Sequence, residues 1–338
     1  MSAINEIVQS VITKSSREDD TRSKKKYKWN IVWLNVIILG ALHIMGFYGF
    51  TRKYSILWST TFFWKGYLLF AAFGITAGAH RLWSHRAYKA NKIAQIILML
   101  MYSTTYQNSI YIWARDHRLH HKHAETDADP HNAKRGFFFS HVGWLMVKKH
   151  PDVLEKGKTL DMSDLEANPI VMFHHKYYYP IILLFTFIIP TFVPWYFFGE
   201  TLENAFFVCT IYRYILQVNV TWCINSLAHL YGNKPYDKAI GPVENAIMKL
   251  CSFGEGFHNY HHSFPWDYKA SETGIDGRNM TTYVIDGFAK LGWVTERKTV
   301  KESMILKKRE RSGDFKIPTE TKRNYINFLL VIFYICVV

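Results

Sequence analysis

Long apolar runs alternate with long polar ones along this chain, and the apolar runs are of membrane-crossing length. Residues 29–50 (WNIVWLNVIILGALHIMGFYGF) carry no formal charge. About 20 such residues suffice to cross the hydrocarbon core of a bilayer. Residues 54–79 form a second run, with Lys65 as its only charge and the small-residue end GITAGAH. A turn holding Arg52 and Lys53 joins the two into a helical hairpin. Residues 179–198 predict a third span, bent or broken by its prolines. Residues 205–224 predict a fourth, interrupted by Arg213, which reads as a buried structural charge facing the protein interior. The turn between them, GETLEN, has acids and no base. Residues 93–106 are apolar but short, and predict a helix buried in the protein or lying at the interface. The C-terminal run NFLLVIFYICVV is also too short to span alone.

The polar segments set the orientation. Residues 1–28 carry seven Lys/Arg against four acids, residues 80–178 fourteen against nine, and residues 269–323 thirteen against eight. All three fall on one side of a four-span arrangement, so the positive-inside rule places both termini and the large loops in the cytosol. The predicted fold is therefore an all-α integral membrane protein with four transmembrane helices and a helical cytosolic cap. Its segments are a basic arm (1–28), a first hairpin (29–79), a first cap segment (80–178), a second hairpin (179–225), a second cap segment (226–323) and an apolar tail (324–338).

Composition sharpens this picture. Aromatic residues make up 17% of the chain, and Trp and Tyr suit membrane–water interfaces. The net charge of +14 would also fit nucleic acid, but the bases flank membrane segments, where anionic lipid attracts them. The four cysteines form no CxxC pair, which argues against a disulfide framework and against thiolate zinc. The first 28 residues are polar and show no cleavable signal peptide.

The sixteen histidines carry the chemistry. Three groups stand out: His80 and His85 in HRLWSH, His117, His120 and His121 in HRLHH, and His258, His261 and His262 in HNYHH. The i, i+3, i+4 spacing of the last two puts three imidazoles on one helix face. Neutral imidazole suits iron, zinc and copper. Eight or more ligands exceed the positions around one ion, so two metals are expected. His80 and His85 lie about 140° apart on a regular helix, so the helix is expected to end or unwind between them. Asp116 points about 100° away from His117, and the three groups contain no carboxylate motif of the soluble di-iron type. His43, His123, His131, His141, His150, His174 and His175 are read as structural. A membrane metal-binding receptor or transporter would place its histidines along a pathway within the spans, whereas these cluster at the cytosolic ends.

These motifs resemble the three histidine boxes of membrane fatty acyl-CoA desaturases. GITAGAHRLWSH, WARDHR, ETDADPHN, RGFFFSHVGW, NSLAHLYG and GEGFHNYHHSFPWDY are similar to the stearoyl-CoA (delta-9) branch, including its insect-type members, over about Trp33 to Ala270. The resemblance implies two non-haem iron ions held by nine histidines. His229 of NSLAH joins the eight box residues, and Asn225 holds a water. It also implies an endoplasmic reticulum membrane enzyme that acts on long-chain acyl-CoA with dioxygen. Its electrons come from NADH through cytochrome b5 reductase and cytochrome b5. The chain shows no nucleotide fingerprint and no haem signature, so the donor is a separate protein, and its acidic face would suit the basic cap.

Asn35, Gln107, Arg115, Asp116, Lys148 and Lys149 resemble the family's head-group positions, and Thr221 and Trp222 its tunnel wall. Ala72, about 12 Å along a helix from His80, suits the methyl end of the acyl chain. The sequence departs from the family at Leu34 and Ile112, where Arg and Glu are common, and at His123, which adds an imidazole. These changes touch the substrate surface rather than the box residues. A hydroxylase, or an enzyme making a second double bond, could use the same metal centre.

Overall fold

The computed structural model describes residues 28–272 and 279–314. The basic arm up to residue 27 and the tail 324–338 lie outside the described residues. Helix α1 (Trp33–Arg52) and helix α2 (Trp58–Ser84) form the first hairpin. Next come α3 (Lys92–Tyr102) and α4 (Ile110–His123), then short helices over residues 133–176, and then α5 (Tyr178–Phe198). Helix α6 runs through residues 202–230, followed by α7 (His258–Ser263), α8 (Met280–Lys290) and α9 (Glu302–Ser312). The sheet among the described residues is small: β1 (Lys89–Ala90) pairs antiparallel with β2 (Val294–Thr295), Lys89 opposite Thr295.

Three helices, α1, α2 and α5, are long and apolar enough to cross a membrane. Their outer faces carry large apolar side chains that water would cover at a cost: Trp33, Ile44 and Phe47 on α1, Leu183 and Phe197 on α5. The prolines do not break α5. The helix widens into a π segment at Leu183–Ile188 and continues from Ile189 with Pro190 in its first turn. Helix α6 is as long as the others, but Arg213, Gln217 and Asn219 make it more polar. Arg213 is wholly buried, and its guanidinium donates to the carbonyls of Cys209 (3.0 Å) and Thr104 (3.0 Å) and to Gln217 Oε1 (3.3 Å). A buried cation supplied with acceptors on neighbouring backbone is the tolerated form of charge in an apolar interior.

Small residues let the helices approach. A Cβ on Gly49 would lie 2.1 Å from the Phe207 carbonyl oxygen on α6, and one on Gly74 would lie 2.3 Å from the Tyr102 nitrogen on α3. The run GITAGAH thus serves close helix packing. At the far end of the hairpins Arg52 Nε donates to Asn204 (3.2 Å) and stands 4.0 Å from Glu203, so the acids of GETLEN face the base of the first turn. Helix α3 is half-buried, with Leu98, Met99 and Tyr102 inward and Ile93 and Ile96 exposed. At 11 residues it is too short to span.

Candidate metal centre

Helix α2 carries His80 in its last turns and is capped by His85. From Gly74 to Ser84 it is a π-helix, and the His85 amide donates to the His80 carbonyl at 3.1 Å. An i→i+5 ladder has a wider turn than an α-helix and stacks residues five apart, so His80 and His85 come to one face. This agrees with the expectation that the regular helix ends or unwinds between them: it widens into a π-helix and stops at Ser84. The rings sit 4.8 Å apart, centre to centre.

Nine imidazoles gather here in two clusters. His80, His85, His117, His121 and His261 form one, and His120, His229, His258 and His262 the other; within each, the ligand atoms lie within 4.8 Å of one another. The two HxxHH motifs divide in opposite ways. On α4 the i, i+4 pair His117 and His121 serves the first cluster and His120 the second. On α7 the i, i+4 pair His258 and His262 serves the second and His261 the first. The rings of His121 and His262 stack at 3.9 Å where the clusters meet.

The donor set fits metal. The Nε2 atoms converge: His80 on His261 at 2.9 Å, His85 on His117 at 2.8 Å, His261 on His121 at 3.0 Å and His258 on His229 at 3.0 Å. Burial first, and then the neighbouring imidazoles, holds His85, His117, His121, His258, His261 and His262 well below the usual histidine range. Neutral rings with lone pairs pointing at one another are a repulsive arrangement that a cation relieves. The ligand atoms of each cluster, all within 4.8 Å of one another, would share a single cation.

Carboxylates stand behind the rings. Glu255 Oε2 accepts from His80 Nδ1 at 2.8 Å and Asp129 Oδ1 from His120 Nδ1 at 3.0 Å. Glu125 lies 3.5 Å from His229 Nδ1, too far for a good hydrogen bond. Such a bond puts the proton on Nδ1 and aims the Nε2 lone pair inward. Glu255 is itself held by Arg81, whose Nη2 and Nε donate to it at 2.8 and 3.2 Å. Burial pushes the Glu255 carboxyl up, but Arg81 and His80 outweigh it and hold it at about 2. Sequence spacing does not reveal Arg81, Glu255 and Asp129 as partners, because they orient ligands rather than bind metal.

A cavity of about 310 Å³ has His117 in its wall together with Ile38, Leu42 and Val218. Asn35, Gln107, Asp116, Thr221, Trp222 and Asn225 line it too. Gln107 Nε2 donates to Thr221 Oγ1 at 3.1 Å, and Asn35 Nδ2 to the Leu145 carbonyl at 2.8 Å. Asp116 also borders a surface cleft of about 580 Å³ that holds Arg115 and Lys149. Arg115 Nη2 donates to Asp116 Oδ1 at 2.8 Å and Lys149 pairs with its other oxygen. Lys148 is exposed beside this cleft's Lys149, and Ala72 is half-buried on α2. Neither is among the residues lining the two spaces.

The other histidines have separate partners. His43 and His141 flank Trp222 and meet through Asn219, at 3.2 and 3.1 Å. His174 accepts from the Ile110 amide, His175 meets Ser109, and His150 accepts from the Asp152 amide. His123 is half-buried. His131 stands nearer the centre than its sequence context suggests, 4.4 Å from the His120 ring and in the cavity wall.

An apolar helical body with two all-imidazole clusters defines a membrane protein that can hold metal through histidine alone. The fatty acid desaturase pattern matches residues 56–270. The acyl-CoA Delta-9 desaturase of Acheta domesticus is 53% identical over 87% of this chain and 82% of its own length. The stearoyl-CoA desaturase of Homo sapiens is 52% identical over 85% and 80%, and the acyl-CoA desaturase of Cyprinus carpio 54% over 84% and 87%. The chain belongs to the fatty acid desaturase family.

Proposed function

We propose that the chain is an acyl-CoA desaturase that inserts a double bond, at the delta-9 or a related position, into a long-chain fatty acyl-CoA. The observation that carries this reading is a cavity walled both by His117 of the first cluster and by apolar side chains of α1 and α6. An acyl chain wants such a wall, and its middle needs a metal close by. Two non-haem irons, one held by each cluster, would supply when bound the dioxygen activation that breaking two unactivated C–H bonds requires.

The chain's own residues position and insulate. Glu255 and Asp129 fix two ligand tautomers, and burial keeps bulk water from the imidazoles. The Gln107–Thr221 bond ties the segment before α4 to α6 beside Trp222, and a fixed wall presents the same methylenes each time. Asn225, one turn before His229 on α6, would hold a water. Arg115, Lys148 and Lys149 attract the phosphates of coenzyme A, with Asp116 and Asn35 placing the head group. Ala72 leaves room at the methyl end.

In the membrane, α6 is the fourth span, packed with α1, α2 and α5. The cap and both termini face the cytosol from the endoplasmic reticulum, where basic segments favour that side. Cytochrome b5, reduced by NADH through its reductase, delivers electrons. The test is expression in desaturase-deficient yeast with mass spectrometry of derivatised fatty acids. New monounsaturated acids from the wild type and none from His261→Ala are expected. Hydroxylated or doubly unsaturated products as the main yield would overturn the assignment.

A further inference from the structure

Dehydrogenating a –CH2–CH2– pair to –CH=CH– while reducing one dioxygen to two waters balances only with two electrons and two protons from outside. Two of dioxygen's four electrons come from the two broken C–H bonds, and a carrier supplies the rest. A one-electron carrier must therefore dock twice per turnover, at a place from which electrons reach the clusters.

One surface combines the required features. A groove of about 640 Å³ runs along α9, bounded by Phe264, Met304, Lys307, Lys308, Glu310 and Arg311. Three of its four charged residues are basic, and residues 290–311 hold eight Lys/Arg against three acids. Beside it Trp266 is 40% exposed and Met304 47%, apolar groups among charges, as at the centre of a docking patch. Rings lead inward from there. Trp266 meets Phe264 edge-on at 6.0 Å, and Phe264 meets Tyr260 at 5.1 Å. Tyr260 is 1% exposed, its hydroxyl donates to Asp267 at 2.8 Å, and it is joined by one peptide bond to the cluster residue His261. Tyr260 and Phe264 would be core residues in any case. What core packing leaves unexplained is that the row ends at an exposed tryptophan beside a basic groove.

We infer that the face formed by α9 and Trp266 is the docking site of a one-electron carrier protein with an acidic rim, and that electrons enter through Trp266, Phe264 and Tyr260. This rests on the desaturase reading. The probe is the pre-reduced soluble haem domain of cytochrome b5. It is mixed by stopped flow with the full-length, iron-loaded chain, acyl-CoA and dioxygen, and haem oxidation is followed. A parallel assay supplies electrons from a small-molecule reductant.

The double variant Lys307→Glu/Arg311→Glu should oxidise sub-saturating donor about tenfold more slowly at low salt. The gap should close as salt rises, because screening removes the attraction. Iron content and reductant-driven double-bond formation should match the wild type. Trp266→Leu should lower the rate at saturating donor at least threefold, and Trp266→Phe should restore most of it. Wild-type rates in the charge-reversed variant at every salt would overturn the docking face, and an unchanged plateau in Trp266→Leu would overturn the aromatic entry. A wild type that makes double bonds with the reductant but oxidises no haem donor overturns this inference alone. One that makes none by either route overturns the desaturase reading itself.

Discussion

Replacing Glu255 separates two effects that one carboxylate exerts. The side chain is 7% exposed, takes the guanidinium of Arg81 on one oxygen and the Nδ1 of His80 on the other. Its carboxyl falls from an ordinary value of 4.5 to about 2 in the folded chain. At 1.36 kcal/mol per unit this is about 3 kcal/mol of folding stability. The folded value is depressed, so the contribution is fully present above 4.5 and is lost only as pH falls through about 2. At pH 7 it is intact. Glu255→Ala strands Arg81, itself 1% exposed, with only the Tyr268 carbonyl, Thr282 and Asn279. Breaking a buried pair from one side costs about 3–5 kcal/mol, in line with the first figure. A drop in melting temperature on the order of 5–10 °C should follow in metal-stripped, detergent-purified protein. Glu255→Gln behaves differently. Its amide has one acceptor oxygen instead of two, and Arg81 claims it. The amide nitrogen then faces His80 Nδ1, which gives up its proton to Nε2, the atom aimed into the cluster. Melting should fall by less than in Glu255→Ala, because the charge is lost but Arg81 keeps an acceptor oxygen, while iron affinity falls about 10–100-fold, measured by titration against a competing chelator. Wild-type iron affinity in Glu255→Gln together with wild-type melting in Glu255→Ala would refute the argument.

Three further outcomes are expected. His120→Ala, His121→Ala, His261→Ala and His262→Ala should abolish desaturation and lower bound iron while the protein still reaches the membrane, with much smaller losses for His123→Ala and His131→Ala; metal analysis of purified membranes decides it. Metal-free protein should lose stability as pH falls below about 6.5: its cluster imidazoles resist protonation when folded and accept protons when unfolded, so the unfolded state gains with acid, and melting curves between pH 8 and pH 5 test the sign. Reversing Lys148 and Lys149 to Glu should raise the apparent KM for acyl-CoA and flatten its salt dependence, whereas unchanged kinetics would return them to a solvated face, with Lys149 serving only Asp116.

Apolar runs and box histidines were legible because each is a one-dimensional signal. Span length is a count, and HxxHH declares its helix face. What was not legible depends on partners far apart in sequence. Arg81 and Glu255 are 174 residues apart and meet only because α2 and the segment before α7 pack together. That the regular helix ends or unwinds between His80 and His85 was legible from their spacing; that it does so as a π-helix over Gly74–Ser84 was not, since nothing local names the remedy. His131 reads as a loop histidine until Asp129, which accepts from both its amide and His120, folds it onto the second cluster. Arg213 could be read as a buried charge, but its acceptor on Thr104 could not.

The opposite division of the two HxxHH motifs has a consequence for how the clusters are spaced. Neighbouring residues on a helix differ by about 100° and 1.5 Å, so His120 and His121 cannot aim at one point, and neither can His261 and His262. Each pair straddles a boundary instead, and α4 and α7 become common walls of both clusters. In a soluble di-iron bundle carboxylates from facing helices supply ligands at the site. Here the carboxylates have been moved behind the rings, to Glu255 and Asp129, and the separation of the clusters is set by the backbone of two short helices and by the His121–His262 stack at 3.9 Å. A centre spaced this way depends on helix packing as much as on its ligands. That is why Gly74, where any side chain would collide with the backbone of α3, belongs to the same design as the histidines that follow it.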